Sequence, residues 1–501
     1  MNSINLFQVN TRVWIQQWSN NNTRAKLNSI PDEYWLELKK SGFDLVWLMG
    51  IWETPKDNPR LFCFTEELMN SYDDAVNNWS NEDIIGSPFA IEKYDVSPSL
   101  GTKADLLKLK NKLNSFGLKL ILDFIPNHFG ALSNYVHSNP EYFLQTTIDN
   151  FNEDNFTYFK VGNKFFAHGR DPFYPAWQDT VQINYFNEEA RNFMINNLLN
   201  ISTLCDGLRC DMAMLALNNI FENTWNHTIN DMQLQKPKTE FWEIAINKVK
   251  SVNPEFIFMA EAYWNLEENL QTLGFDFTYD KKLLDLIKYA TPIEIKSHLE
   301  KEIAYQKKTV RFIENHDEER AISALGIEKS QAAAVLFSTV PGIHLFFDGQ
   351  MEGFKIKLPL QLGKSPQEKI NKQLITFYST LLNILKHKII KNGNWKLLEP
   401  LPAWENDNIL SFKNLLIWQW TLDSKIMLIA INLDNNKNSC RVKLNISNYE
   451  EEVEIVDLLN NCKYLRNKTE ILNQGLYIEL EPFQSHIFEF KLNSIKLCVK
   501  Q

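Results

Sequence analysis

Apolar, strand-like runs that each carry a carboxylate near their end, alternating with amphipathic helical stretches, constrain this chain to a parallel α/β architecture. Four of them stand out: DFIPNH (Asp123 to His128), GLRCDMAM (Gly207 to Met214), FMAEAYW (Phe258 to Trp264) and FIENHD (Phe312 to Asp317). Hydrophobic periodicity predicts strands near Leu6–Trp14, Phe43–Trp52, Leu118–Asn127, Cys205–Ala213, Phe256–Trp264, Phe275–Tyr279, Val310–Asp317 and Ile343–Asp348. Between them, helical spacing marks Asp32–Lys40, Lys103–Phe116, Glu188–Leu204, Thr239–Val252 and Ser330–Val340. Eight strands with intervening helices predict a closed (β/α)8 barrel, whose reactive groups stand at the carboxyl ends of its strands.

The 501 residues exceed what one core usually supports, so two or three domains are expected. Two connections, from about Thr54 to Gly101 and from about Phe129 to Asn187, are too long to be plain loops, and long insertions on the carboxyl rim usually build a binding site. After a helix near Lys372–Lys388 the texture changes to short alternating runs such as KIMLIAINL and GLYIELEPFQSHIFEF, the pattern of an antiparallel sheet domain.

Composition excludes more than it assigns. The net charge of -10, with both signs well mixed, argues against a nucleic-acid partner. The N-terminal MNSINLFQVNTRVW has no secretory pattern, and no apolar run reaches transmembrane length, so no membrane partner is expected. Cys63, Cys205, Cys210, Cys440, Cys462 and Cys498 show no metal-binding spacing and fit reduced thiols, which predicts a cytoplasmic protein.

Residues two apart in a strand share a face, so Arg209 and Asp211 point inward together, and the guanidinium favours an ionised carboxylate. Glu261 ends the apolar run FIFMA, whose walls should raise its pKa and keep it protonated, the state a general acid needs. Asp123 faces the same interior and reads as a structural anchor for Arg209 or its neighbours.

The order of these groups, Asp with Arg two before it, then a lone Glu, then His-Asp, with Asn-His on the first segment, resembles the α-amylase superfamily of retaining glycosidases and transglycosylases. The resemblance implies a barrel over 1–128 and 188–390, an inserted subdomain over the cleft at 129–187 after the third strand, and a C-terminal antiparallel β-sandwich over 391–501. It implies Asp211 as nucleophile, Glu261 as general acid–base and Asp317 as stabiliser of the transition state. Arg209, His128 and His316 follow as substrate-binding residues. In a retaining pair the two carboxyls stand about 5–5.5 Å apart.

Departures from the family pattern bear on substrate. Met214 and Leu215 stand where many α-glucan hydrolases have Lys-His, which puts an ordinary endo-acting amylase in doubt and suits a drier acceptor side. Pro88 occupies the place of a ring-stacking Tyr, so either Phe89 takes over or the stacking surface comes from elsewhere, with Tyr263, Trp264, Tyr174 and Trp177 as further stacking candidates. No cofactor is required; calcium stays open through Asn127, although Gln182, where an Asp is frequent, is a poorer ligand. The expected substrate is an α-linked oligosaccharide or glucan, cleaved or transferred through a glycosyl-enzyme. The alternative is a phosphorylase or glycosyl-phosphate-dependent transferase of the same fold. A non-catalytic binding relative would be expected to lose a central carboxylate, and all three are present.

Overall fold

The computed structural model describes residues 3–20, 23–404 and 410–491; Cys498 lies outside them. Eight parallel strands close a barrel: β1 (Ser3–Asn10), β2 (Leu45–Met49), β3 (Lys119–Phe124), β4 (Gly207–Cys210), β5 (Ile257–Ala260), β6 (Phe277–Tyr279), β7 (Thr309–Arg311) and β8 (Gly342–Phe347). They are hydrogen-bonded in chain order, with β8 returning to β1. The strands are buried along almost their whole length, because a parallel barrel is covered by side chains inside and helices outside.

The helices fall where periodicity puts them: Asp32–Ser41, Lys103–Ser115, Glu188–Ser202, Phe241–Val252 and Ile327–Thr339. Several strands are shorter than expected. The fourth pairs only over Gly207–Cys210 and the seventh only over Thr309–Arg311, so Asp211 lies directly past the last paired residue and Asp317 farther on, in the loop that follows Arg311. The first differs in kind: pairing stops at Asn10 and Thr11–Trp14 turns into a helix. Arg12 explains the turn, since its guanidinium reaches the carbonyls of Gly86 (2.8 Å) and Leu360 (2.9 Å) and ties this corner to two rim loops.

After β3 the chain runs into a short segment, His128–Gly130, paired antiparallel with Thr180–Gln182, and a three-stranded sheet of Gln145–Thr146, Lys164–Ala167 and Tyr158–Val161. The connection after β2 carries the helix Glu66–Ala75, whose Tyr72 and Ala75 pack with Cys63, Val76 and Ile84 against Leu362.

Beyond the barrel, a six-stranded antiparallel sheet forms from β9 (Asn394–Leu397), β10 (Leu415–Leu422), β11 (Lys425–Asn432), β13 (Glu452–Asp457), β14 (Cys462–Asn467) and β16 (Ser485–Lys491). It faces a two-stranded sheet of β12 (Asn438–Val442) and β15 (Leu476–Leu480), with a core of its own between them. Its other face joins the barrel: Trp418, Trp420, Met427 and Ile429 belong to the barrel's apolar core. Both indoles, Trp418 (3.1 Å) and Trp420 (2.7 Å), donate to the carbonyl of Thr339 at the end of a barrel helix.

Candidate active site

The register of β4 against its neighbours sets the centre of the site. Arg209 lies level with Asp123 on β3 and with Met259 on β5, so Asp211 and Glu261 emerge side by side from adjacent strands. Arg209 is fully buried and spans them, Nη1 on Asp211 Oδ1 and Nη2 2.7 Å from Glu261 Oε2. Three aromatic faces surround the guanidinium, with Trp47 5.3 Å, Phe89 5.6 Å and Tyr279 5.6 Å from it. A planar cation of this kind tolerates such burial because its charge is delocalised and its edges are paired.

Burial pushes Glu261 up to about 7, Asp211 and Asp317 adding to the effect and Arg209 opposing it. Its Oε2 accepts the Met212 N–H at 2.7 Å and its Oε1 accepts the Tyr263 hydroxyl at 2.7 Å. Met212 makes this contact from a left-handed backbone (φ 41), a strained geometry that concentrates at functional sites. Asp211 is raised as well: burial is the largest influence, Arg209 opposes it without overcoming it, and Asp317 and Asp123 add to the rise. Asp317 is different: burial pushes it up, but His316, Arg209 and Lys357 prevail and hold it down to about 2.

His316 is oriented from two sides. Gln8 of β1 donates to its Nδ1 at 2.7 Å, which leaves Nε2, 2.9 Å from Asp317 Oδ2, as the protonated nitrogen. The Asn315 side chain caps the turn by accepting the N–H groups of Asp317 and Glu318 at 2.9 Å each. Phe89 lies 5.6 Å from the His316 ring and lines the cleft. His128 is buried and faces Trp177 at 5.3 Å; burial lowers it to about 3 despite its bond to the Phe89 carbonyl, so it is a neutral hydrogen-bonding group. Asp123 is an anchor, but for the second strand's exit rather than for Arg209: it accepts the Trp47 indole at 2.8 Å and the Gly50 N–H at 2.6 Å. Gly50 is required there, with φ +77 and a Cβ position 2.8 Å from Pro88.

A cleft of about 940 Å³ collects Phe89, His128, Asp211, Glu261, Tyr263 and Asp317, with Tyr174, Trp177 and Trp264 also on its walls. Trp264 packs edge-on against Phe173 at 5.0 Å. A second cavity of about 620 Å³, between the helix Glu66–Ala75 and the 355–361 segment, shares Asp317, Leu360 and Gln361 with it. Met214 and Leu215 do not line the cleft: they are buried in a 3-10 turn, and Met212 is the residue of this segment that lines it beside Asp211. The expectation that they dry the acceptor side is therefore corrected.

Asn127 does not fit a calcium ion. Its carbonyl (2.9 Å) and side-chain oxygen (3.0 Å), with the Ile183 carbonyl (3.0 Å), all accept from the amide nitrogen of Gln182, which is fully buried. A neutral donor thus fills the point where these oxygens converge. Among the described residues no group of three or more His, Cys, Asp or Glu side chains could hold a metal ion, and no helix is long and apolar enough to cross a membrane.

Gln8, Met212, Tyr279 and Gln182 are the site residues the sequence reading did not assign to these contacts. Gln8 carried only a weak signal, being one of four polar residues, with Ser3, Asn5 and Asn10, in the first strand.

Comparison with known proteins places these residues in context. The family model of the α-amylase catalytic domain matches residues 19–376. α-Amylase 3 of Dictyoglomus thermophilum is 23% identical over 430 residues, covering 75% of this chain and 79% of its own. A cyclomaltodextrin glucanotransferase of a Bacillus species is 24% identical over 391 residues, covering 72% of this chain and 50% of the transferase. In structure, a maltogenic α-amylase from Thermotoga neapolitana superposes with a TM-score of 0.70 at 19% identity over 98% of this chain and 99% of its own. An α-amylase from Lactobacillus plantarum gives 0.67 at 19% identity over 98% and 99%.

Proposed function

The chain belongs to the α-amylase family, whose members are glycoside hydrolases or transferases, and on that premise we propose that it cleaves or transfers α-glucosidic oligosaccharides or glucans with retention of configuration. The observation that carries this reading is the single guanidinium forked across Asp211 and Glu261 on neighbouring strands. Adjacent strands lie roughly 4.8 Å apart, which suits the short separation of a retaining pair better than the wider gap an inverting enzyme needs for water. In this mechanism Glu261 gives its proton to the glycosidic oxygen as that bond breaks, and Asp211 bonds the anomeric carbon. Glu261, now a carboxylate, then takes a proton from the incoming water or sugar hydroxyl, which releases Asp211. Asp317, His316 and His128 grip the ring, and Phe89, Tyr263 and Trp264 are its apolar contacts.

The proposal invokes no cofactor: Gln182 already satisfies the oxygens around Asn127. A cytoplasmic setting belongs to it, supported by Cys63, Cys205, Cys210 and Cys440 lying buried as free thiols. The test is a product profile from maltoheptaose with and without phosphate, with Glu261→Gln as control. Shorter sugars alone identify a hydrolase and longer ones a transglycosylase. A sugar phosphate would replace this reading with a phosphorylase, and products unchanged by Glu261→Gln would remove the acid assignment.

A further inference from the structure

We propose that Tyr263 positions the general acid: its hydroxyl holds the Oε1 edge of Glu261 for proton delivery and then donates to the carboxylate left behind. This deepens the functional reading above and rests on it. The two oxygens of Glu261 are unequal. Oε2 is ion-paired with Arg209 Nη2 at 2.7 Å and accepts the Met212 N–H at 2.7 Å, so the oxygen beside the cation is the one that keeps negative charge. Oε1, which meets the Tyr263 hydroxyl at 2.7 Å, is left as the edge that carries the proton. Tyr263 and Glu261 both line the cleft in which the glycosidic oxygen would bind.

A phenol suits both halves of the cycle because it accepts from a carboxylic acid and donates to a carboxylate. When the proton moves to the leaving oxygen, which keeps the electron pair of the broken bond, Tyr263 turns its O–H onto Oε1. When Glu261 recovers a proton from the acceptor hydroxyl, Tyr263 turns back. The backbone supports the placement: Trp264 and Asn265, directly after Tyr263, are both left-handed (φ 63 and 59), and the Leu266 N–H returns to the Tyr263 carbonyl at 3.2 Å. Two consecutive strained residues hold the tyrosine at the point where the chain leaves β5.

Tyr263→Phe keeps the ring and removes only the hydroxyl. A donor to the carboxylate makes Glu261 the stronger acid, so in this variant the basic limb of kcat/KM on maltoheptaose moves up by about one pH unit. The plateau falls roughly tenfold, with KM within about twofold, and α-maltosyl fluoride, whose leaving group needs no proton, loses about threefold or less. A raised KM on both substrates with the basic limb unmoved overturns the proposal, because it shows that the Tyr263 hydroxyl binds the sugar and not Glu261. A substrate-free control separates this from the functional reading: the carboxyl infrared band that Glu261→Gln removes is titrated in wild type and Tyr263→Phe. Equal midpoints overturn the positioning role, and a higher midpoint in the variant supports it. A wild-type protein that turns over no α-glucoside overturns the functional reading instead.

Discussion

Glu261 and Asp211 share one guanidinium, yet their other neighbours give them different work. In the proposed mechanism Glu261 must be protonated to start the reaction, and burial pushes it up to about 7, so kcat/KM should fall as pH rises through that value. Asp317, held down to about 2, stays ionised across the working range and adds no limb of its own there. Glu261→Gln should lower kcat/KM on malto-oligosaccharides by about 10²–10⁴, and far less on an activated fluoride, which initial rates on the two substrates would measure. Equal losses would point to another acid. The pairing of Arg209 with Asp211 was legible because the two-residue period of a strand puts both on one face. The contacts of Glu261 were not: the Met212 N–H reaches it through a left-handed turn, and no residue pattern announces that a methionine will adopt one. Met214 and Leu215 were expected at the acceptor side because the resembled family has Lys-His at those places, and nothing in the sequence marks the turn that buries them.

At the level of elements, the antiparallel pairing of Thr180–Gln182 with His128–Gly130 brings Gln182 level with His128 and sends its amide nitrogen among three oxygens. A chelator should therefore leave the melting temperature of the wild type unchanged. Gln182→Asp, which sets a carboxylate among those oxygens, should cost about 1–3 kcal/mol and regain part of it with added calcium, as thermal melts would show. Directly after β6, Asp280 is buried between His298 (2.8 Å) and Arg311 (3.0 Å). Burial works against its charge, but these partners prevail and lower it to about 2. Because this lies below the unfolded value of about 3.9, the stabilisation is complete above that pH and is lost as pH falls towards 2. Asp280→Asn should cost about 3–5 kcal/mol by urea unfolding at neutral pH, and the gap should narrow in acid. The strands themselves were legible from apolar runs, whereas their ends were not, since the fourth stops pairing where Asp211 turns to the cleft and the seventh stops at Arg311, well before Asp317. His298 and Arg311 carry no mark of a partnership that only the closed barrel creates.

For the whole molecule, eight strands in sequential order were readable because each parallel crossover leaves a strand followed by a helical period. The alternating runs near the C-terminus likewise announced an antiparallel sheet. They gave no sign of which face would meet the barrel, because Trp418 and Trp420 look like ordinary core residues until Thr339 is placed beside them. Trp420→Ala should cost about 3–5 kcal/mol and lower the single melting transition of the whole chain, as calorimetry would show. A separate early transition for the sheet would contradict it. The two indoles converging on one carbonyl also mean that the catalytic portion has no clean seam at which to be cut. A chain shortened to the barrel would bare a strip of tryptophan-sized hollows along the helix Ile327–Thr339, and would precipitate rather than work as a smaller enzyme. The trailing sheet is less an appendage than the last stave, pressed in to hold the cask shut.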